Sequence, residues 1–154
     1  PGGASIVKSR VGLFREADGI FPEDNLYDRY QAGEHYDVII ADEAQFFTPE
    51  QIDQLRQIVD EADLPVLCFG LRTDFLTHLF PGSRRLMELA DSITEIKTVC
   101  ACGSKATVNA RLDASGTILT TGSQVFLGGN DSYVAMCHRC WRKKIQAQQK
   151  SNLN

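Results

Sequence analysis

Short apolar runs set in polar sequence mark out the first two thirds of the chain. Val38–Ala41 is an uninterrupted apolar block, short enough for a strand buried on both faces of a parallel sheet. Leu64–Gly70 (LPVLCFG) reads as the next strand. Between them Thr48-Pro49-Glu50-Gln51 has the form of a helix start. Thr48 caps, Pro49 suits the first helical position, and Gln51 completes a capping box. Ile52, Leu55, Val59 and Ala62 then recur at helical spacing and predict one buried face. Strand, helix and strand in this order form a βαβ unit with a right-handed crossover.

The flanking pattern is weaker. Ala4–Leu13 predicts a strand running into a turn at Gly12, and 14–34 a loop with a short helix near Asp24–Gln31. Ser83 is placed to cap a helix through Leu86, Met87, Leu89 and Ala90, followed by a strand over Ile93–Val99. From Cys100 the character changes. Short β-like runs, Lys105–Leu112 and Gln124–Leu127, flank a loop rich in Gly, Ser and Thr. This divides the chain into an α/β core (1–98), a small second domain (99–145) and a polar tail (146–154) expected to fray.

Composition narrows the function classes. With 43% hydrophobic residues the 154-residue chain can bury a core. Its net charge of −4 argues against a general nucleic-acid binder. The cluster Arg139, Arg142, Lys143 and Lys144 reads as a solvated helix end. No apolar stretch approaches the ~20 residues of a membrane span. Five cysteines without a visible secretory signal point to a reducing, cytoplasmic setting. There, paired cysteines mean metal more often than disulfide.

The cysteines supply the first chemistry. Cys100-x-Cys102 and Cys137-x-x-Cys140 are two close pairs whose thiolates can converge on one tetrahedral Zn²⁺ from two turns. The section they bracket is too small for a good core, so a metal staple is physically useful. With all four positions filled by protein, the site is expected to be structural. His138 fits worse than Cys140 as a ligand, and Cys68 reads as a core thiol.

Asp42 and Glu43, directly after the Val38–Ala41 block, supply the second. The carboxyl end of a parallel strand is where α/β folds place their chemistry. At a phosphoryl-transfer site Asp42 would hold Mg²⁺ and Glu43 would accept a proton from an attacking hydroxyl. Both are otherwise surface carboxylates at a strand end. Arg72 would lie at the same edge, against phosphate or paired with Asp74. Phe75 and Phe80 either line a pocket or fill core, and Gly128-Gly129 ahead of Tyr133 would let backbone approach a ligand.

Taken together, DEAQF (Asp42–Phe46), LPVLCFGLRTDF (Leu64–Phe75), LFPGSRRL (Leu79–Leu86), EIKTVCACGSKAT (Glu95–Thr107) and QVFLGGNDSYVAMCHRC (Gln124–Cys140) resemble the zinc-containing, P-loop-type thymidine kinases. The resemblance runs from about Ile6 to Lys144. It implies a P-loop NTPase-like (RecA-like) parallel sheet with helices, plus a zinc-ribbon subdomain carrying a lasso loop. It also implies transfer of the ATP γ-phosphate to the 5′-hydroxyl of thymidine with Mg²⁺, in a homotetramer.

Residue by residue, Glu43 resembles the general base. Asp42, Glu43, Ala44 and Gln45 fall on the nucleotide side. Leu71, Phe75 and Phe80 resemble the pocket around thymine. Gln124, Val125, Phe126, Leu127, Gly128 and Tyr133 match the lasso that closes over the nucleoside. Thr107 and Asn109 fall near that pocket, and Cys100, Cys102, Cys137 and Cys140 are the zinc ligands.

The family begins with a strand, a phosphate loop, its helix and a second strand. No G-x-x-x-x-G-K-[ST] occurs in these 154 residues. The expectation is an amino-terminally truncated chain with little kinase activity by itself. Two other readings stay open from sequence: a helicase-like P-loop ATPase, which DEAQ also resembles, and a non-catalytic zinc-ribbon interaction module.

Overall fold

A computed structural model of the chain describes residues 4–8, 12–124 and 132–151. Among them the architecture is mixed α/β, built from small two-stranded sheets and the helices that pack on them. The helix start read at Thr48 forms as expected. Helix α2 (Pro49–Ala62) carries a complete capping box, with Thr48 accepting from the Gln51 amide and the Gln51 side chain accepting from the Thr48 amide. It lies between strands β3 (Ile39–Ala41) and β4 (Val66–Cys68), which pair in parallel with Ile39 opposite Val66 and Ala41 opposite Cys68.

Alternation decides which side of this pair is covered. Ile39, Val66 and Cys68 pack on a core of Leu26, Ile52, Leu55, Ile58 and Leu64. Ile40 and Leu67, opposite each other on the other face, are 64% and 49% exposed. The pair is therefore covered on one face, where the apolar run suggested two. It is the only parallel pairing among the described residues. Burial pushes the Cys68 thiol up to about 11, which keeps it protonated and inert.

Helix α2 buries Ile52, Leu55 and Ile58, while Val59 is half-buried and Ala62 exposed. The stripe thus runs one residue earlier at its far end than the periodicity suggested. Helix α1 (Leu26–Ala32) packs against it, held by Asn25 as cap. The buried Gln51 carboxamide joins the two segments, donating to the backbone oxygens of Phe21 (2.7 Å) and Asp24 (3.1 Å). Gln51→Ala should therefore cost about 2–3 kcal/mol, through buried groups left unpaired, against ~1 kcal/mol for Thr48→Ala. Urea titration of both variants checks the order.

The amino-terminal strand β1 (Ala4–Lys8) continues through Gly12 into a second strand, β2 (Phe14–Asp18), to make an antiparallel hairpin. The sequence pattern predicted a loop over β2, whose side chains are exposed apart from half-buried Ala17. Helix α3 (Pro81–Leu89) starts at Phe80 with Pro81 in its first turn, not at Ser83. Ser83 lies inside the helix and its hydroxyl donates to the Leu71 oxygen at 2.6 Å.

Only Thr98–Val99 of the expected Ile93–Val99 strand pairs, as β5 against β6 (Lys105–Ala106). Ile93 and Ile96 remain 64% and 79% exposed. Strand β7 (Val108–Leu112) pairs with β8 (Ser132–Met136), and helix α4 (His138–Ser151) packs on β7. Val108, Ala110, Leu112 and Ile118 form a second core with Met136, Trp141 and Ile145. Gln124 lies outside any strand, and Val125–Leu127 fall outside the described residues.

Residues 146–151, in the stretch expected to fray, are helical. The Gln148 side chain accepts from the Ile118 amide (3.0 Å) and donates to its oxygen (3.2 Å), which carries α4 to Ser151. No helix among the described residues is long and apolar enough to cross a membrane.

Candidate active site and metal centre

At the carboxyl end of β3 the chain makes a tight turn. Glu43 adopts the left-handed conformation (φ 51°, ψ 36°) and leads into a single 3-10 turn, Ala44–Phe46. A non-glycine residue there costs on the order of 1–3 kcal/mol and persists only when its surroundings enforce it. Here they do so at every side. The Asp42 carboxylate accepts from the Glu43 amide at 2.9 Å. The Ala44 amide donates to the Phe69 oxygen at the end of β4 (2.9 Å).

Beneath the turn lies Gln45, 2% exposed. Its amide nitrogen donates to the Glu43 carboxylate, and its oxygen accepts from the Leu71 amide at 3.0 Å. Two glycines make room for this arrangement. A Cβ at Gly70 would stand 2.4 Å from the Gln45 side-chain oxygen. One at Gly82, on α3, would stand 2.5–2.9 Å from the backbone oxygens of Phe47, Ala44 and Gln45. These are rigid atoms, so Gly82→Ala must push α3 and the turn apart. It is expected to cost about 1–3 kcal/mol, which thermal unfolding checks.

The structure brings Asp42, Glu43, Ala44, Gln45, Leu71 and Phe80 into one neighbourhood. Phe80 (4% exposed) meets Phe46 edge to face, ring centroids 5.6 Å apart. Asp42 and Glu43 present exposed carboxylates, while Ala44 and Gln45 are buried supports. Phe75 is 2% exposed, and the Arg111 guanidinium carbon lies 5.3 Å from its ring centre. Tyr133 (56% exposed) pairs across β7 and β8 with Arg111. Gln124 donates to Asp74 at 3.0 Å. Val125, Phe126, Leu127 and Gly128 lie outside the described residues.

A groove of about 930 Å³ contains Gln45, Leu71, Arg72, Thr107 and Asn109 in its wall, but not Asp42, Glu43, Phe75 or Phe80. Arg72 is exposed and does not pair with Asp74, whose carboxylate is turned inward onto backbone amides. Sequence reading missed Gly70, Gly82, Ser83, Asp74 and Arg111 as supports. The GLRTDF and FPGS text contains all but Arg111, which lies in β7, yet only packing shows which atoms they hold apart or together.

The cysteines converge. The sulfurs of Cys100, Cys102, Cys137 and Cys140 all lie within 4.8 Å of one another, with Cys102 and Cys137 3.7 Å apart. A tetrahedral zinc–thiolate site with bonds of about 2.3 Å places its sulfurs roughly 3.8 Å apart, so the donor set fits. Around Cys100 the chain folds into a tight turn, its amide donating to the Ser104 oxygen (2.8 Å) and Gly103 donating to its oxygen (2.8 Å). The Ser104 hydroxyl and amide bring the Cys102 thiol down to about 6. Cys140, facing the Cys102 and Cys137 sulfurs, is pushed up to about 12. Four such groups can all be thiolates only around a cation, and these cysteines can hold a metal ion. His138 instead packs edge-on against Trp141, 6.0 Å between centroids.

Comparison with known proteins adds to this geometry. A family model described as thymidine kinase matches residues 3–141. A thymidine kinase of Ruegeria pomeroyi is 48% identical over 145 residues, covering 92% of this chain and 73% of the relative. A thymidine kinase of Yersinia pseudotuberculosis is 46% identical over 149 residues, covering 94% and 76%. One of Albidiferax ferrireducens is 42% identical over 139 residues, covering 90% and 70%.

Proposed function

This chain belongs to the thymidine kinase family, and on that premise we propose how its residues serve the reaction, with Glu43 as general base. The observation that carries the assignment is the enforced left-handed turn, which holds an exposed carboxylate beside the Leu71–Phe80 segment. Glu43 takes the proton of the thymidine 5′-hydroxyl as that oxygen bonds to the γ-phosphorus of ATP. The bond from phosphorus to the β–γ bridging oxygen breaks, and ADP leaves with the electron pair.

Asp42, an exposed oxygen donor at the strand end, would hold Mg²⁺, which supplies neutralisation of phosphate charge. Ala44 and Gln45 act on the nucleotide side by keeping the turn in place. Leu71, Phe75 and Phe80 form the inner wall for thymine, with Thr107 and Asn109 at its margin. Gln124, Val125, Phe126, Leu127, Gly128 and Tyr133 close over the nucleoside. The cysteine quartet holds structural zinc and staples the two ends of that segment.

In the same reading, β3 and β4 are part of a RecA-like parallel sheet, with 1–98 as its domain and 99–145 as the zinc ribbon. Residues 146–151 then extend the ribbon's last helix. Assembly is homotetrameric in a cytoplasmic setting, without nucleic acid or membrane as partner. Exposed Ile93 and Ile96 are of the kind that such an assembly covers. A helicase-like ATPase is not favoured, because the match spans the cysteine region as well as DEAQ.

The test compares this 154-residue polypeptide with a chimera carrying a family phosphate loop ahead of Pro1. Thymidine monophosphate should form from thymidine and ATP faster with the chimera, because a phosphate loop adds backbone N–H contacts to the triphosphate. A chimera that hydrolyses ATP equally well without thymidine would overturn the reading.

A further inference from the structure

The segment that precedes residues 125–131 is fastened to the Leu71–Phe80 segment through one buried carboxylate. Asp74 is 5% exposed. Its Oδ1 accepts from the amides of Leu76 (2.9 Å) and His78 (2.9 Å), closing a loop in which Thr77 is left-handed at φ 70°. Its Oδ2 accepts from the Gln124 amide nitrogen at 3.0 Å. That nitrogen also faces the Leu79 oxygen at 3.4 Å. Two further contacts run beside it. A Cβ at Gly122 would stand 3.6 Å from the Phe75 ring, and Arg111 donates to the Ser123 oxygen at 3.5 Å while lying over that ring.

We propose that Asp74, through its bond to Gln124, is a positioning residue for nucleoside binding: it fixes the entry of residues 122–124 against the loop that carries Phe75. The proposal rests on the reading of Leu71, Phe75 and Phe80 as the thymine wall. The chemistry is asymmetric in a useful way. Asp74 uses one oxygen to hold its own loop and the other to hold Gln124, so the two roles can be separated by substitution. A buried carboxylate with three N–H donors is also a strong and directional anchor.

Isothermal titration of thymidine into the zinc-loaded 154-residue chain provides the test. Gln124→Glu sets two carboxylates against each other and should weaken thymidine binding roughly tenfold or more. Adding Asp74→Asn keeps an oxygen for the Leu76 and His78 amides and offers an N–H to Glu at position 124. The double variant should therefore recover to within about threefold of the parent. In the chimera, the KM for thymidine should follow the same order while the KM for ATP stays unchanged. If Gln124→Glu binds thymidine as the parent does, or if the double variant folds but does not recover, the positioning role is overturned and the thymine wall stands. If the parent chain and the chimera both fail to bind thymidine, the site reading itself is wrong.

Discussion

Glu43→Gln lowers kcat of the chimera roughly 10²–10⁴-fold, the range for removal of a general base, while the dissociation constant for thymidine stays near its parent value. Glutamine is the informative replacement because the Glu43 carboxylate also accepts from Gln45. A Gln side chain keeps an oxygen for that bond and loses only the basic carboxylate. Glu43→Ala removes both. It should therefore add a loss of stability to the loss of turnover, since the amide nitrogen of the 2%-exposed Gln45 loses this acceptor. Single-turnover rates with thymidine and ATP separate the two. Equal losses of binding and turnover in Glu43→Gln would mean that the residue shapes the turn and leaves proton transfer to another group.

Cys137→Ser takes bound zinc from about one per chain to near zero and unfolds the region from β5 to α4. A structural zinc site supplies on the order of 10–16 kcal/mol of apparent folding free energy, more than a domain of this size holds in reserve. Cys137 is the most consequential choice because it is buried at 8% exposure, faces Cys102 at 3.7 Å and packs in the small core with Cys100 and Ala106. Metal analysis by plasma emission together with far-ultraviolet circular dichroism reads both effects. Stoichiometric zinc retained by the serine variant would remove the quartet from the fold's support. Retained helix and sheet signal without zinc would show that the apolar cores suffice.

How much of this was legible in the sequence follows from where the interactions are local. The capping box at Thr48 and Gln51 is written in adjacent residues, and it formed as read. The cysteine pairs advertise their convergence by spacing, and the four sulfurs meet. The βαβ order from Ile39 to Cys68 follows from two apolar runs flanking an amphipathic helix. Strand β2 was illegible because its pairing with β1 is made through the backbone, and its side chains carry no burial pattern.

Ser83 looked like a cap because its residue type prefers that place, but Pro81 started the helix earlier and the hydroxyl was taken by Leu71. The polar Gln146–Ser151 stretch looked free because nothing nearby could bind it; its partner, Ile118, is 30 residues away from Gln148. In the candidate site, Glu43 and Asp42 could be named from a strand-end motif. The supports under them could not, since the value of Gly82 lies in three backbone oxygens contributed by another segment.

One cysteine of the quartet has a second contact. The Cys137 sulfur accepts from the Cys140 amide at 3.4 Å, in the first turn of the helix that opens at His138. It stands where a serine or aspartate side chain would close an ordinary helix. Starting a helix is the slow and unfavourable step, because several residues must be fixed before the first bond repays them. A metal ion bound by the quartet would fix Cys137 and Cys140 at helical separation and so supply part of that step for α4. At its other end the same helix is tied down by Gln148, bonded to the amide and oxygen of Ile118. A metal ion at the quartet would therefore bear on the start of α4 as well as on the turn at Cys100.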